Sequence, residues 1–462
     1  MKFDYRKVLT SLNNLRIPAL LIFLLGTGLV FKAQDVDKKP KLSMKSQEAR
    51  DYSLQYLDSM GKIIRERYYD PKFRGIDLKS RIEAAKARIK TLEYNWQMYR
   101  VLAQVLMDFN DSHTYLLLPP RTDNFQYGFA VQMIGDECFI TSVKKDSDAA
   151  KQGVEPGDQI VLLGKFTPNR RDLWKMMFVL YKLDPADTLD LKIRKPDGAE
   201  KVLTVKAKKM TEGQYRAELE KRWAKKKDEA FKCQELNGAA IACKLYSFAV
   251  EKNDIDKMMK QVARYPKFIL DLRGNGGGYV SIEQYLLSHF FGSEIKIADL
   301  ITRKKNETRT TKPVGDRQYK GEVAVLIDSD SASAAEVTAR VLQLEQRAKI
   351  YGDISSGSVM TSVQVPFEVI GYFADYVNMN VGMSVTVADV IMRDGSRLEN
   401  TGVMPDEILC PSGVALAKKS DPVLAFAASM FGVDVSPEKA GSFYFMVEKD
   451  ENSGDVEAPE GK

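Results

Sequence analysis

Val323-Ala-Val-Leu-Ile327, followed by Ser331-Ala-Ser333-Ala-Ala-Glu336 and Val337-Thr-Ala-Arg-Val-Leu-Gln343, reads as a buried strand, a turn and a helix. A serine on such a turn is held clear of its own backbone and beside the unpaired N–H groups of a helix start. That arrangement suits a nucleophilic hydroxyl, because the same amides can stabilise an oxyanion on a bound carbonyl. The same residues also form a Ser-x-x-Glu capping box, Ser333 to Glu336, which needs no chemistry. The rest of the chain decides between the two readings.

The chain has 462 residues, of which 44% are hydrophobic, enough for two to four domains with real cores. Its net charge of +6 arises from 69 basic and 63 acidic residues with no basic block or aromatic platform, which gives nucleic-acid binding no support. Lys2, Arg6, Lys7 and Arg16 precede the apolar run Ile17 to Phe31, and Ala33-Gln34 offers a cleavage region. Residues 1–34 therefore read as a secretory signal or an uncleaved anchor, which sends the protein to the periplasm or cell envelope of a bacterium, or outside the cell. Of the four cysteines, Cys233 and Cys243 are the pair worth testing for a disulfide. With two histidines and no Cys-x-x-Cys, neither a metal nor another cofactor is expected.

Helical periodicity runs through Leu54, Leu57, Met60, Ile64 and Tyr68, then Ile82 to Leu92, then Val101 to Phe109, which predicts a helical domain over residues 45–118. Short β-like runs divided by turn residues follow over residues 122–208. Within them Gly153-Val-Glu-Pro156-Gly157-Asp158-Gln-Ile160 resembles the Gly-x-x-x-Gly-Asp-x-Ile signature of PDZ domains. That resemblance implies a groove in which a peptide C-terminus adds as a strand, its carboxylate held by backbone N–H groups of Tyr127-Gly128-Phe129-Ala130. Residues 209–232 read as a charged helical connector, residues 233–415 as an alternating α/β core, and residues 416–462 as a C-terminal helix with a disordered acidic tail from Glu448. The predicted class is a multidomain α+β protein.

Asp271-Leu-Arg-Gly274-Asn-Gly276-Gly277-Gly278 follows the strand-like Phe268 to Leu272 and leads into a helix. Its spacing fits neither dinucleotide nor Walker loops, and no lysine or Mg²⁺ ligand set accompanies it, so a nucleotide is not expected. The amide of Gly276 or Gly277, together with that of Ala334, would supply the two donors of an oxyanion hole. In order and spacing these two segments resemble the core motifs of the tail-specific, or C-terminal-processing, serine protease family, and the PDZ-like module precedes them as in its members. The resemblance implies a crotonase- or ClpP-like core with Ser333 as nucleophile.

One segment departs from that family. Its processing branch draws a lysine base from Gly-Glu-x-x-x-Gly-Lys, where this chain has Gly352-Asp353-Ile-Ser-Ser-Gly357-Ser358. A serine hydroxyl is too weak a base to replace that lysine. His113 in Asp111-Ser112-His113-Thr114 is the candidate replacement, since an imidazole titrates near neutrality. The pattern resembles the tricorn-like branch of the family, which implies Ser112 and His113 as a pair and Glu399 as the last member of a tetrad. A loop histidine with only a structural role is the competing reading, and His289, on an apolar helical face, reads as a core residue. The expected activity is that of an exported serine endopeptidase acting on unfolded proteins or peptides recognised by their tails. A catalytically inactive relative that binds peptides or scaffolds an envelope complex is the alternative.

Overall fold

The computed structural model of the protein describes residues 46–119, 121–228, 230–368 and 381–443. The expected export segment and acidic tail lie outside these residues, as does the Trp223 side chain. Among the described residues no helix is long and apolar enough to cross a membrane.

Three helices come first, α1 Ser46–Arg67, α2 Leu78–Ile89 and α3 Asn95–Met107. Asp77 caps α2 by accepting from the Ser80 N–H, and Leu57, Met60, Ile64, Ile82, Leu102 and Leu106 form the shared apolar face. The short strand β1, Tyr115–Leu117, follows the third helix.

A β-rich module comes next. Strands β2 Asp123–Gln126, β3 Phe129–Ile134, β4 Glu137–Val143, β5 Gln159–Leu163, β6 Thr188–Arg194, β7 Glu200–Lys206 and β8 Lys208–Thr211 alternate with the short helices α4 Asp148–Lys151 and α5 Leu173–Met177. The antiparallel sheet runs β3-β4-β5-β6-β7, so β3 is an end strand, and β2 pairs with β8 as a separate ribbon. Helix α6, Glu212–Asp228, then leads to the core.

The core is a mixed α/β structure with two sheets. Its main sheet has the order β18-β15-β14-β11-β10-β9. The members are β9 Phe231–Leu236, β10 Ala240–Leu245, β11 Lys267–Asp271, β14 Glu322–Ile327, β15 Lys349–Gly352 and β18 Glu407–Ile408. All neighbours are parallel except β9 with β10. The parallel strands are joined by helices, including α7 Lys252–Val262, α8 Val280–Ser288 and α9 Ala334–Leu344. β14 and α9 are the strand and helix expected on either side of Ser333.

The second sheet has no counterpart in the sequence reading. It is antiparallel, built from β12 Lys296–Thr302, β13 Asn306–Thr310, β16 Thr361–Pro366 and the long β17 Gly382–Met392, and it recruits β1, with Tyr115 opposite Ser384. β1 thus belongs to the core rather than closing the helical region. Met383 and Val385 of β17 also share one apolar cluster with the three opening helices, so the first region is packed onto the core instead of standing apart. At the other end three helices, α10 Gly413–Ala417, α11 Pro422–Met430 and α12 Pro437–Gly441, stand where a single C-terminal helix was expected. Val423, Leu424 and Ala428 of α11 bury themselves against Ala240, Ile269 and Leu326 of the main sheet.

Cys233 and Cys243 face each other across β9 and β10 and are joined by a disulfide, whereas Cys138 and Cys410 are not disulfide-bonded. Replacing both bonded cysteines by serine should lower the unfolding free energy by about 2–3 kcal/mol. Urea denaturation of the oxidised protein and the double variant measures that difference.

Candidate active site

Ser333 sits between β14 and α9 with φ 55° and ψ −118°, a conformation that side-chain-bearing residues rarely adopt. Strain of this kind costs roughly 1–3 kcal/mol and persists only where the surroundings enforce it. Here they do. The Ser333 N–H donates to the Ser358 carbonyl at 2.9 Å and to Glu336 Oε2 at 3.0 Å, so the Glu336 arm of the expected capping box is present. Glu336 is fully buried and does far more than cap. It also accepts from Ser355 Oγ at 2.6 Å, from the Gly357 N–H at 2.7 Å and from the Ser358 N–H at 2.9 Å. Burial pushes its carboxyl up to about 7 against the pull of these donors.

Asp328 organises the other side of the turn. Its Oδ1 accepts from the N–H groups of Gly274, Asp330 and Ser331, and its Oδ2 accepts from Gln132 of the β-rich module at 2.8 Å. Ser331, the first serine of the motif, spends its hydroxyl on the Leu272 carbonyl at 2.8 Å and is buried. The glycine loop therefore lies directly on the serine turn: the Ala332 N–H donates to the Asn275 carbonyl at 2.9 Å. Gly277, at φ 94°, approaches so closely that a Cβ there would stand 2.7 Å from the Ser333 Cβ. Of the amides expected to form an oxyanion hole, that of Gly277 is committed to Asn275 Oδ1 at 2.9 Å. Gly276 and Ala334 remain, and Ala334 opens α9, where an N–H has no acceptor within the helix.

Ser112, His113 and Glu399 come together although 286 residues separate the last two in sequence. Ser112 Oγ lies 2.6 Å from His113 Nδ1 and donates to Glu399 Oε2 at 3.0 Å, while the Ser112 N–H donates to Glu399 Oε1 at 2.7 Å. A hydroxyl has one proton. With that proton on the carboxylate, Ser112 Oγ accepts from Nδ1–H, which leaves the lone pair of the imidazole on Nε2. Burial holds the His113 pKa below its ordinary value, with Asp111 opposing, so the ring is neutral at pH 7. Glu399 is pushed up to about 7, again by burial.

The link from this trio to Ser333 is one peptide unit long. Glu399 Oε2 accepts from the Val359 N–H at 3.0 Å, and the preceding residue, Ser358, holds the Ser333 N–H through its carbonyl. The Ser358 hydroxyl itself is engaged with Ser356 Oγ at 2.9 Å. Its backbone is what the site uses.

Three acids anchor the site beyond what the sequence reading gives, in which Glu336 is a helix cap and Asp111 and Asp328 have no role. Asp111 accepts from the N–H groups of His113 and Thr114, from the Tyr68 hydroxyl and from Thr386 Oγ1 of β17, and so fixes the histidine loop to the core. Asp328 and Glu336 complete the set. Each is an ordinary acidic residue in sequence, and only burial with several donors gives it away. His289 is buried, with Nδ1 2.9 Å from the Tyr285 carbonyl, and belongs to the core.

In the β-rich module the side chains of Tyr127 and Phe129 are buried in its own core, so only the backbone of Tyr127-Gly128-Phe129-Ala130 is suited to meet a ligand. Gly128 is required there, at φ 88°, because a Cβ would stand 2.1 Å from that of Ser147. The end strand β3 also touches the core, where Ser329 Oγ donates to the Met133 carbonyl at 2.5 Å.

Residues 242–409, which span β10 to β18 and hold both Ser333 and Glu399, match peptidase family S41. Among curated proteins the chain is 24% identical over 323 residues to the carboxy-terminal processing protease CtpB of Bacillus subtilis, covering 69% of this chain and 62% of CtpB. It is 26% identical over 283 residues to the tail-specific protease of Haemophilus influenzae, covering 56% of this chain and 38% of that one. The chain therefore spans less than two thirds of the length of these relatives. Two solved structures share the fold. Mature CPAF superposes with TM-score 0.60 at 15% identity over 86% of this chain and 96% of CPAF. The photosystem II D1 C-terminal processing protease superposes with TM-score 0.51 at 17% identity, over 84% and 99% of the two chains.

Glu336→Ala would leave the amides of Gly357 and Ser358 and the Ser355 hydroxyl without their acceptor, and the Ser333 amide with the Ser358 carbonyl alone. It should cost on the order of 3 kcal/mol of stability, read from a urea midpoint at unchanged m-value.

Proposed function

We propose that this protein is an exported serine endopeptidase that cleaves unfolded proteins or peptides through an acyl-enzyme on Ser333, with His113 as the base. The observation that carries this reading is the Ser112–His113–Glu399 hydrogen-bonded set, tied through Val359 and Ser358 to the backbone of Ser333. Ser333 Oγ attacks the scissile carbonyl carbon as its proton passes to His113 Nε2. The resulting oxyanion is held by the N–H groups of Gly276 and Ala334. Collapse of the tetrahedral adduct breaks the C–N bond, and the leaving amine takes the proton from the imidazolium. Water then gives a proton to His113 and attacks the ester, releasing the new C-terminus and returning the proton to Ser333. Ser112 and Glu399 keep the tautomer and stabilise the imidazolium.

The β-rich module serves in this reading as a PDZ-like domain for substrate tails. Its end strand β3 offers an edge for strand addition, and the backbone at Gly128 receives the terminal carboxylate. The names of CtpB and of the Haemophilus protease describe action at chain termini, in keeping with such a site. The lysine of the processing branch has no counterpart at Ser358, so the chain fits the tricorn-like, serine–histidine branch.

Ser333→Ala and His113→Ala should each reduce cleavage of an unfolded protein at least about a thousandfold with folding intact. Ser358→Ala should keep nearly full turnover; a loss as large as that of Ser333→Ala would overthrow the choice of base. A fluorophosphonate should label the wild type at Ser333. Absence of labelling together with retained peptide binding would favour an inactive, peptide-binding relative instead.

The pH profile adds a separate check. The Ser112 hydroxyl needs an ionised acceptor, and Glu399, raised to about 7, is protonated below that value. His113, lowered by burial, is already neutral there. kcat/KM should therefore rise with pH through about 7, and Glu399→Gln should lower activity and remove that limb.

A further inference from the structure

Arg273, the residue before Gly274, is gripped at both ends by buried charges. Its guanidinium meets Asp271 through Nε at 3.0 Å and Nη2 at 2.7 Å, and meets Asp421 through Nη1 at 2.9 Å and Nη2 at 2.7 Å. Its carbonyl accepts from Lys244 Nζ, which also stands 3.7 Å from Asp271. Asp271 and Asp421 are 0% exposed, Lys244 1% and Arg273 7%. Burial lowers the Lys244 pKa against the pull of Asp271, and the guanidinium is the charge that both carboxylates share. Taking such charges from water is expensive, and such a cluster often adds nothing over an apolar replacement. What it does supply is geometry, because a guanidinium held by two forked carboxylates has little freedom to turn.

That geometry is delivered to the candidate oxyanion loop. The next residue, Gly274, has its N–H on Asp328; Asn275 holds the Ala332 N–H through its carbonyl; Gly276 follows. A chain of short contacts thus runs from Asp421 through Arg273 to the amide proposed to face the substrate carbonyl. Asp421 lies outside the matched family segment, which ends at residue 409. It caps α11 by accepting from the Leu424 N–H at 3.0 Å, and its own N–H is fixed to the Pro437 carbonyl at 2.7 Å.

We infer that Asp421 and Lys244 are positioning residues for the oxyanion loop, acting through Arg273, so that the C-terminal helices are part of the catalytic apparatus and not merely cover for the sheet. This rests on the peptidase reading above. Loss of Asp421 leaves a half-held guanidinium beneath the loop, and the Gly276 amide drifts from the place where negative charge develops. An error of that size falls on turnover rather than on binding, since the donor works hardest on the tetrahedral state.

The test is turnover per active site. Wild type, Asp421→Asn, Arg273→Lys and Leu424→Ala are titrated with a fluorophosphonate, and kcat and KM for one peptide are divided by the titrated sites. Leu424 is buried on the same helix and serves as the control for stability. Asp421→Asn and Arg273→Lys should each lower kcat per site about tenfold or more, with KM within about twofold. Leu424→Ala should lower the melting temperature while keeping kcat per site. Unchanged kcat per site in both clamp variants overturns the inference, and so does an equal fall in Leu424→Ala. Should Asp421→Asn not fold, Arg273→Lys, which keeps the charge but loses the fork, carries the test alone. Failure of the wild type to label or cleave defeats the peptidase reading itself, a result distinct from any pattern among the variants.

Discussion

The carboxylate of Glu399 is the point on which the site turns. It accepts two hydrogen bonds from Ser112 and one from Val359, and so joins a loop that follows the opening helices to a loop that follows β15. A buried carboxylate needs such donors, since without them its desolvation would be prohibitive. The requirement works in both directions. The donors hold the acid in place, and the acid fixes the relative positions of two segments that no single element connects. The pairing of β1 with β17 brings them to the same neighbourhood, and Asp111 with Thr386 sets the register of approach.

A second buried acid, Glu336, does the same for Ser333. The positive φ of Ser333 is a local cost, and the compensation is spread over four donors to one side chain and over the Ser358 carbonyl. Capping the helix and fixing the turn are therefore parts of one arrangement in the Ser-x-x-Glu motif. The glutamate closes the helix start and holds the backbone of Ser333 in its strained conformation. The segment lacking a lysine takes a related part. Gly357, Ser358 and Val359 give their amides to the two acids, so its backbone frames the site.

Much of this was legible in the chain. Ser333 between a strand and a helix, the glycine loop after β11, and the charge-rich stretch ahead of β9 follow from local pattern, because strand and helix periods and turn residues act over a few positions. The three anchoring acids Asp111, Asp328 and Glu336 were not legible as such, because a carboxylate that will be buried among donors looks like any other until the donors are assembled. The second sheet was equally hidden. β12 and β13 form a local hairpin, but β17 lies some eighty residues beyond β12 and β1 lies far upstream, so the pairing of β17 with both is a matter of long-range register that no local period records.

By itself, the amino-acid sequence determined many of the elements and the groups available to them: a serine on a turn, a flexible loop rich in amides, a histidine after the third helix. The tertiary structure decided which of these groups meet. It withdrew the Gly277 amide by giving it to Asn275, brought Ser112 and His113 to Glu399, and tied Arg273 to an aspartate beyond the matched core. The physical reason is that hydrogen bonds and ion pairs have short reach and firm geometry. Their partners are selected by packing across distant segments, and that information appears only when the sheets and helices have closed around them.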